Sequence, residues 1–318
     1  MVDTTRDLQP LLVIAGPTAS GKTRLAVESA EALSGEVISA DAFAVYRGMD
    51  IGTDTPDADT RRRVRHHLIN VVDPNERFSA GDFVAAANEA ISDIRSRGRL
   101  PIIAGGTHFY VRALLFGLFP SPPHDPSVRA ELEELWLEDP GTPLAELRTV
   151  DPVAASKIGA ADRQRVLRAL EVFRLTGTPI SEHWNEHLET PRFRPLLIAP
   201  TRPRSELYAR INSRVDSMFS SGLEEEVQRI LASGVPRDAH ALKAIGYRQV
   251  CALLNGEIDR AMAIELTKRA SRQFAKRQLT WLRSAREGPF LWVDPAEHGG
   301  TEAVISKWAR HVREGRAS

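Results

Sequence analysis

The chain has 318 residues, which is enough for one large domain or two of moderate size. Its 42 lysines and arginines balance its 42 aspartates and glutamates, and this zero net charge argues against a polycationic nucleic-acid-binding module. The single cysteine, Cys251, excludes an internal disulfide and a cysteine-based zinc site. With neither a signal-peptide pattern nor an apolar run near the ~20 residues that cross a bilayer, the sequence predicts a cytoplasmic protein without a membrane segment.

The first third of the chain alternates short apolar runs with helical patterns. Residues 11–15, 36–41 and 100–104 read as buried strands, and residues 23–33 and 80–97 read as helices. Alternation of this kind is typical of a parallel sheet covered by helices. We therefore predict an α/β core whose first part spans residues 1–118.

An all-helical insertion is predicted for residues 119–192. Three prolines within residues 120–123 must end the preceding helix, because proline lacks an amide donor and restricts the residue before it. No convincing strand follows, and the helical patterns cover residues 128–137, 144–150, 152–158 and 162–175. The insertion therefore interrupts the α/β core.

The second part of the core is predicted for residues 193–318. Strand character returns at residues 194–200, and a last strand is expected at residues 290–293. Helical patterns cover residues 204–220, 222–233, 260–286 and 302–314. The whole chain thus reads as one α/β core, interrupted once.

A phosphate-binding loop follows the first predicted strand. Its residues match the pattern G-x-x-x-x-G-K-[ST] and are Gly16, Pro17, Thr18, Ala19, Ser20, Gly21, Lys22 and Thr23. In such a loop the backbone amides and the helix amino terminus wrap a phosphate, the lysine adds a cation, and the threonine hydroxyl is a ligand for Mg²⁺. A merely tight turn would not require the Lys22-Thr23 pair. The fold prediction becomes a P-loop NTPase-like parallel sheet.

Two further segments end strands at the same edge of the predicted sheet. Asp41 follows the second strand and could accept a proton or hold a metal through water, although a turn cap is the plainer alternative. Gly105, Gly106 and Thr107 follow the strand at 100–104, and here a structural turn is as good a reading as a ligand contact. The phosphate loop by itself fits kinases, NTPases and transferases that release pyrophosphate.

The order of the motifs along the chain is more specific than any one of them. They are residues 16–23 (GPTASGKT), 41–53 (DAFAVYRGMDIGT), 66–68 (HHL), 105–107 (GGT), 165–172 (RVLRALEV), 246–248 (GYR) and 276–283 (KRQLTWLR). Together they resemble the tRNA dimethylallyltransferases, which prenylate the adenosine 3′-adjacent to certain anticodons. The resemblance covers about residues 10–290.

The resemblance implies a reaction and roles for several residues. The phosphate loop would hold dimethylallyl diphosphate, with Mg²⁺ at Thr23, and the target adenine would be flipped out of the anticodon loop. Asp41 would accept the proton of the exocyclic amine. Lys22, Thr107 and Arg214 would stabilise the departing pyrophosphate. Without the resemblance, Arg214 reads as part of a solvated or ion-paired helix face.

The resemblance also implies a tRNA-binding set, with the insertion gripping the anticodon stem-loop. We expect the enzyme to be a monomer. This set comprises Asp41, Ala42, Phe43, Ala44, Thr107, Arg129, Gln164, Arg165, Val166, Leu167, Arg168, Lys243, Ala244, Ile245, Gly246, Tyr247, Arg248, Lys276, Arg277, Gln278, Leu279, Thr280, Trp281, Leu282 and Arg283. Trp281 reads equally well as a core anchor. The basic charge is local, since residues 265–286 carry seven lysines and arginines against one glutamate.

The sequence departs from the family pattern at Ala42, where serine is usual, and at His108, where glycine is common.

Three alternative functions stay open. An adenylate dimethylallyltransferase would use the same donor on a free nucleotide, a small-molecule P-loop kinase would bind ATP, and a non-enzymatic RNA-binding module would leave Lys22, Thr23 and Asp41 without a purpose.

Overall fold

The computed structural model describes residues 8–118, 122, 125–186, 191–284, 288–295 and 299–316. The chain forms two compact units. The core unit comprises residues 1–116 and 191–318, and the insertion unit comprises residues 117–190. These limits lie within two residues of the predicted insertion at 119–192. Most of the proline-rich segment predicted to mark its start lies outside the described residues.

The described residues contain six strands and fourteen α-helices. The strands are β1 (Pro10–Ala15), β2 (Gly35–Ala40), β3 (His66–His67), β4 (Leu100–Gly105), β5 (Arg194–Pro200) and β6 (Leu291–Val293). The helices are α1 (Lys22–Ala32), α2 (Ala58–Arg63), α3 (Ala80–Ser96), α4 (His108–Phe116), α5 (Pro126–Glu138), α6 (Gly141–Val150), α7 (Pro152–Lys157), α8 (Arg163–Thr176), α9 (Ile180–Glu186), α10 (Arg204–Ser220), α11 (Leu223–Ala232), α12 (Tyr247–Leu254), α13 (Arg260–Arg283) and α14 (Gly300–Arg316).

The six strands form one sheet in the order β3-β2-β4-β1-β5-β6, and every neighbouring pair is parallel. Leu11, Leu12, Val13 and Ile14 on β1 are all buried, as expected for a central strand covered on both faces. Because all strands run the same way, their carboxyl ends meet at one edge, where open α/β sheets bind ligands. The predicted fold class is confirmed.

Helices cover both faces of this sheet, and the strand residues alternate between them. Leu11 and Val13 pack in one cluster with residues of α3 and α4 such as Phe83 and Leu114. Leu12 and Ile14 pack in another, which contains residues of α1 and α14. A third cluster joins α10, α11 and α12 to the segment that follows β2.

The insertion unit is all-helical in its described residues and has its own apolar core. The predicted helices correspond to α5, α6, α7 and α8, and the structure adds α9, which the sequence did not predict. Three aspartates begin helices: Asp125, Asp151 and Asp162 accept hydrogen bonds from backbone N–H groups in the first turns of α5, α7 and α8. Such N-caps typically stabilise a helix by about 1 kcal/mol.

The predicted helix at 260–286 is α13, which ends at Arg283, and residues 285 and 286 lie outside the described residues. In the described part of the chain no helix combines the length and the apolar character that crossing a membrane would require.

Candidate active site

The phosphate loop between β1 and α1 has the backbone conformation that its glycines permit. Gly21 lies in the left-handed region with φ of 94°, and Ala19 has a φ of 62°. At Gly16 a Cβ atom would lie 2.8 Å from Cγ of Pro200, so no side chain fits there. The loop therefore delivers the chain into the amino terminus of α1, where free N–H groups and the helix dipole favour an anion.

Three arginines hold the phosphate loop from the side of β5 and α10. Arg202 Nε donates to the Ser20 carbonyl and Arg210 Nε to the Ala19 carbonyl, both at 3.0 Å. Arg214 donates to the Thr18 hydroxyl. The sequence indicated Arg214 through the family resemblance only. It missed Arg202, because nothing local marks an arginine just after a strand as a partner of a loop 182 positions away.

Gln278 of α13 joins the phosphate loop to the end of β4. Its side chain is 3% exposed, accepts a hydrogen bond from Thr18 N–H at 2.9 Å and donates one to the Gly106 carbonyl at 2.9 Å. A Cβ atom at Gly106 would lie 2.4 Å from Gln278 Nε2, so a side chain there would push this amide away from its hydrogen bonds. The amide thereby fixes two of the site's segments relative to each other.

Asp41 and Thr107 lie at the ends of neighbouring strands. Asp41 Oδ1 accepts hydrogen bonds from the N–H groups of Phe43 at 2.9 Å and Ala44 at 3.2 Å, while Oδ2 has no hydrogen-bond partner among the described residues. Thr107 Oγ1 accepts one from Ala42 N–H at 3.0 Å, which leaves the hydroxyl proton available for donation. Oδ1 of Asp41 therefore caps the turn, as the plainer alternative predicted. Oδ2 could accept a proton.

Cationic side chains gather at the phosphate loop. Burial and the neighbouring Arg214 guanidinium lower the pKa of Lys22, and the carboxylates of Asp41 and Asp54 only partly oppose this. Arg214 Nη1 lies 3.3 Å from Asp54 Oδ2, an exposed carboxylate. The Lys22 and Arg214 cations repel each other, so a bound diphosphate would relieve that repulsion.

The four predicted catalytic residues line one cavity of about 470 Å³ at the carboxyl edge of the sheet. They are Lys22, Asp41, Thr107 and Arg214. Thr18 and Thr23 of the phosphate loop share its wall with apolar side chains, among them Ile211, Met218 and Phe274. The cavity therefore offers a cationic end, a carboxylate and an apolar lining.

Comparison with known proteins identifies the family. The family model described as IPP transferase matches residues 44–285. The chain is 49% identical to tRNA dimethylallyltransferase 1 of Trichlorobacter lovleyi over 92% of this chain and 95% of the relative, and 46% identical to the tRNA dimethylallyltransferase of Thermomicrobium roseum over 96% and 92%. The chain belongs to the IPP transferase family. The resemblance carried by the seven motifs is confirmed.

Solved structures of the family share the fold of this chain. The tRNA isopentenylpyrophosphate transferase of Bacillus halodurans is 37% identical, with a TM-score of 0.72 over 97% of this chain and 98% of that one. A eukaryotic dimethylallyltransferase, solved acting on tRNA, is 29% identical, with a TM-score of 0.77 over 95% and 77%. The α/β core with a helical insertion is thus a property of the family.

The segment 276–283, predicted as a whole to contact tRNA, faces three environments because it lies on α13. Arg277 and Gln278 line the cavity of the catalytic residues. Lys276, Leu279, Thr280 and Arg283 instead line a second cavity of about 340 Å³, together with Pro17 and Ser20 of the phosphate loop. Trp281 and Leu282 pack on the core of the sheet. A helix cannot present eight consecutive residues to one partner.

Several other members of the predicted tRNA set are buried. Val166 and Leu167 are 0% exposed in the core of the insertion unit, and Tyr247 is 0% exposed in the core unit. Protein encloses the side chains of these three residues, and their contact with tRNA stays a prediction. Gln164 and Arg165, and likewise Lys243 and Arg248, have exposed side chains. Ala244 and Ile245 line the cavity of the catalytic residues.

Two predicted tRNA contacts of the insertion unit take part in an internal ion network. Arg168 Nη1 lies 2.8 Å from Glu171 Oε2, and Arg129 Nη1 lies 4.0 Å from the same oxygen. Glu171 is 0% exposed. Arg129 also pairs with Glu133 at 3.0 Å. A buried carboxylate needs such cations, so these arginines stabilise the unit whatever else they bind.

His108, one of the departures from the family pattern, lies against Trp281. The two rings are stacked with centroids 4.0 Å apart and planes 9° apart. Burial and the nearby Lys22 lower the pKa of His108 to about 4, so the imidazole is neutral near pH 7. Its Nε2 is enclosed without a hydrogen-bond partner in the described structure. The reading of Trp281 as a core anchor accounts for these contacts.

The described residues contain no group of three or more histidine, cysteine, aspartate or glutamate side chains that could hold a metal. Thr23, the predicted ligand of Mg²⁺, lines the cavity beside Lys22 and contributes a hard hydroxyl oxygen. Mg²⁺ commonly keeps several waters and takes its other ligands from substrate phosphates. The donor set therefore fits a metal that arrives with a diphosphate.

Proposed function

We propose that this chain transfers a dimethylallyl group from dimethylallyl diphosphate to the exocyclic amine of the adenosine 3′-adjacent to the anticodon of tRNAs, giving N6-isopentenyladenosine and pyrophosphate. The observation that carries the proposal is that one cavity brings together a phosphate loop, an apolar wall and the carboxylate of Asp41, whose Oδ2 has no hydrogen-bond partner among the described residues. Relatives at 46–49% identity are named tRNA dimethylallyltransferases, which supports it.

Asp41 acts as the proton acceptor. Its Oδ1 is held by the N–H groups of Phe43 and Ala44, which fixes the carboxylate and leaves Oδ2 to take a proton from the attacking amine. The amine nitrogen forms a bond to the prenyl carbon as the bond from that carbon to the diphosphate oxygen breaks. The bonding electron pair leaves with pyrophosphate.

Lys22, Thr107 and Arg214 stabilise the charge that develops on the leaving group. The two cations lie at the phosphate loop, and the Thr107 hydroxyl keeps its proton for donation because its oxygen already accepts from Ala42 N–H. The Thr23 hydroxyl would hold Mg²⁺, which would add positive charge at the pyrophosphate when bound. Preorganised donors of this kind are needed because the diphosphate gains charge in the transition state.

The tRNA partner is engaged at its anticodon stem-loop by a monomeric enzyme in the cytoplasm. Exposed basic and polar side chains of the insertion unit, such as Arg165 and Gln164, suit contacts to RNA backbone and bases. The zero net charge agrees with an enzyme that grips one RNA loop through local basic surfaces.

The test is a prenylation assay with the purified chain. Protein, Mg²⁺, dimethylallyl diphosphate and an unmodified tRNA with adenosines 3′ of its anticodon should yield isopentenyladenosine, detected by mass spectrometry of the digested tRNA. Parallel reactions replace tRNA by AMP, or dimethylallyl diphosphate by ATP. Prenylation of AMP alone would indicate an adenylate dimethylallyltransferase, and transfer or hydrolysis of the ATP phosphate without prenylation would indicate a kinase or NTPase.

A further inference from the structure

Glu226 is a buried carboxylate outside the cavity of the catalytic residues. It lies on α11, is 3% exposed, and accepts hydrogen bonds from three consecutive backbone N–H groups, those of Asp50, Ile51 and Gly52, at 2.9–3.2 Å. Within the described ranges no lysine or arginine pairs with it. The backbone donors are neutral and come from one loop, and the amino-terminal turn of α11 adds to the stabilisation of the charge.

Tyr247 also holds this loop, through a hydrogen bond to Glu226 and a ring contact with Gly52. Its hydroxyl donates to Glu226 Oε1 at 2.6 Å, and burial together with the carboxylate raises the pKa of Tyr247 well above its usual value, so the phenol stays protonated. Its ring lies directly on the loop, because a Cβ atom at Gly52 would be 2.3 Å from the ring carbon Cε2. The glycine of the motif at 41–53 is therefore needed for contact with this ring.

The gripped loop runs straight into the cavity. Gly52, Thr53 and Asp54 line its wall, and Asp54 adopts a φ of 59°. From there Asp54 Oδ2 pairs with Arg214 at 3.3 Å, and Arg214 donates to Thr18 of the phosphate loop. A continuous chain of contacts thus leads from Glu226 to the guanidinium assigned to the leaving group.

We propose that Glu226 and Tyr247 are positioning residues for diphosphate binding: they hold the loop at 50–54 so that Asp54 orients Arg214 over the phosphate loop. Neither residue touches the diphosphate. Their effect on it passes through Arg214. The inference rests on the phosphate-binding part of the proposed function and adds two residues that its mechanism does not use.

The experiment measures binding of inorganic pyrophosphate and of dimethylallyl diphosphate by calorimetry in Mg²⁺ buffer. Glu226→Gln keeps the shape of the side chain and one acceptor oxygen but places an NH₂ group against backbone donors. We expect affinity for both ligands to fall about tenfold, while the dissociation constant for tRNA is unchanged. The matched control is Glu225→Gln, since Glu225 is an exposed neighbour on the same helix, and it should bind like wild type.

A double-mutant cycle separates positioning from general loss of structure. In the Arg214→Ala background, Glu226→Gln should weaken pyrophosphate binding no further, because the group it orients has been removed. An equal loss in both backgrounds, or no loss in the wild-type background, overturns the inference. Tyr247→Phe removes a single hydrogen bond, and the same cycle with it decides the matter if Glu226→Gln does not fold.

Failure of the proposed function gives a different result. A protein that binds pyrophosphate and obeys the cycle, but does not prenylate tRNA, would reject the transfer reaction and leave the positioning role standing. If the wild type binds no pyrophosphate at all, both are wrong.

Discussion

The two ends of strand β2 each carry a carboxylate, and the protein treats them differently. Glu36, near the amino end, is 3% exposed at its side chain and is fully engaged: it pairs with Arg97 and Arg99 and with His67 Nε2 at 2.7 Å. Among the described residues, Asp41, just past the carboxyl end, receives hydrogen bonds from two backbone N–H groups, both on Oδ1. A carboxylate surrounded by charged partners stabilises the fold, whereas one with a free oxygen in a cavity is available for proton transfer.

The largest expected effect is the loss of catalytic activity when the charge of Asp41 is removed. In Asp41→Asn the amide oxygen can still accept from the N–H groups of Phe43 and Ala44, so the local structure should persist. Because an amide cannot accept the amine proton, we expect kcat to fall by roughly 10²–10⁴ with tRNA affinity unchanged. Single-turnover prenylation and tRNA binding are the measurements. The control is Glu36→Gln, at the other end of the strand, which should retain the wild-type kcat. Unimpaired turnover in Asp41→Asn would show that Asp41 is not the base.

Replacing Glu36, at the amino end of β2, should instead lower the stability of the fold. The hydrogen bonds from Arg97 and His67 lower the pKa of Glu36 to about 2. Because that pKa is depressed, the stabilisation is fully present above about pH 4.5 and is lost as the pH falls toward 2. Because it weakens hydrogen bonds to partly exposed arginines, Glu36→Gln should lower the free energy of unfolding by about 2 kcal/mol at pH 7, and the difference from wild type should close toward pH 2. Urea denaturation across this range measures it.

The control for Glu36 is Asp93→Asn. Asp93 pairs with the same guanidinium, Arg97, at 2.8 Å, but its side chain is 49% exposed. An exposed pair contributes less, so this variant should lose clearly less stability than Glu36→Gln. Equal losses in the two variants, or a difference that does not change with pH, would contradict the assignment of Glu36 as a buried structural carboxylate.

The smallest expected effect concerns His108, which lines the cavity at the carboxyl end of the sheet. Its pKa of about 4 keeps the imidazole neutral between pH 5 and 8. Its ring resonances in an NMR titration should therefore stay flat over that range, and the pH profile of kcat/KM should have the same apparent pKa values in His108→Asn as in wild type. A ring that titrates near pH 6 would show that the histidine is not held in the buried stack on Trp281.

Local patterns in the sequence predicted much of the fold and the part of the site formed by the phosphate loop, Asp41 and Thr107. The phosphate loop between β1 and α1 follows from its motif. Strand β5 lies at the predicted residues 194–200, because the apolar run at 195–200 before a helix leaves few alternatives. Asp41 and Thr107 were predictable because parallel strands bring their carboxyl ends together.

The remaining contacts join positions far apart in the chain, and no local pattern marks them. Gln278 meets Thr18 across 260 positions, and Glu226 meets the loop at 50–52 across about 175. Both are polar side chains on helices, where the plain expectation is solvent exposure. Their burial follows from how α11 and α13 pack, which propensity and periodicity do not specify. Some members of the predicted tRNA set are buried for a related reason, since consecutive residues of a helix do not occupy one surface.

The three-way division of α13 has a consequence for how this helix can vary. Each residue turns the helix by about 100°, so inserting or deleting one residue between Phe274 and Gln278 would exchange the environments of all later residues of the helix. Gln278 would leave the phosphate loop, and Trp281 would leave its stack on His108. Substitutions on the face of Lys276 and Thr280 leave the residues of the other two faces in their present environments. The length of α13 is thus fixed more tightly than its sequence, and chains that differ here should differ by exchanged side chains rather than by gaps.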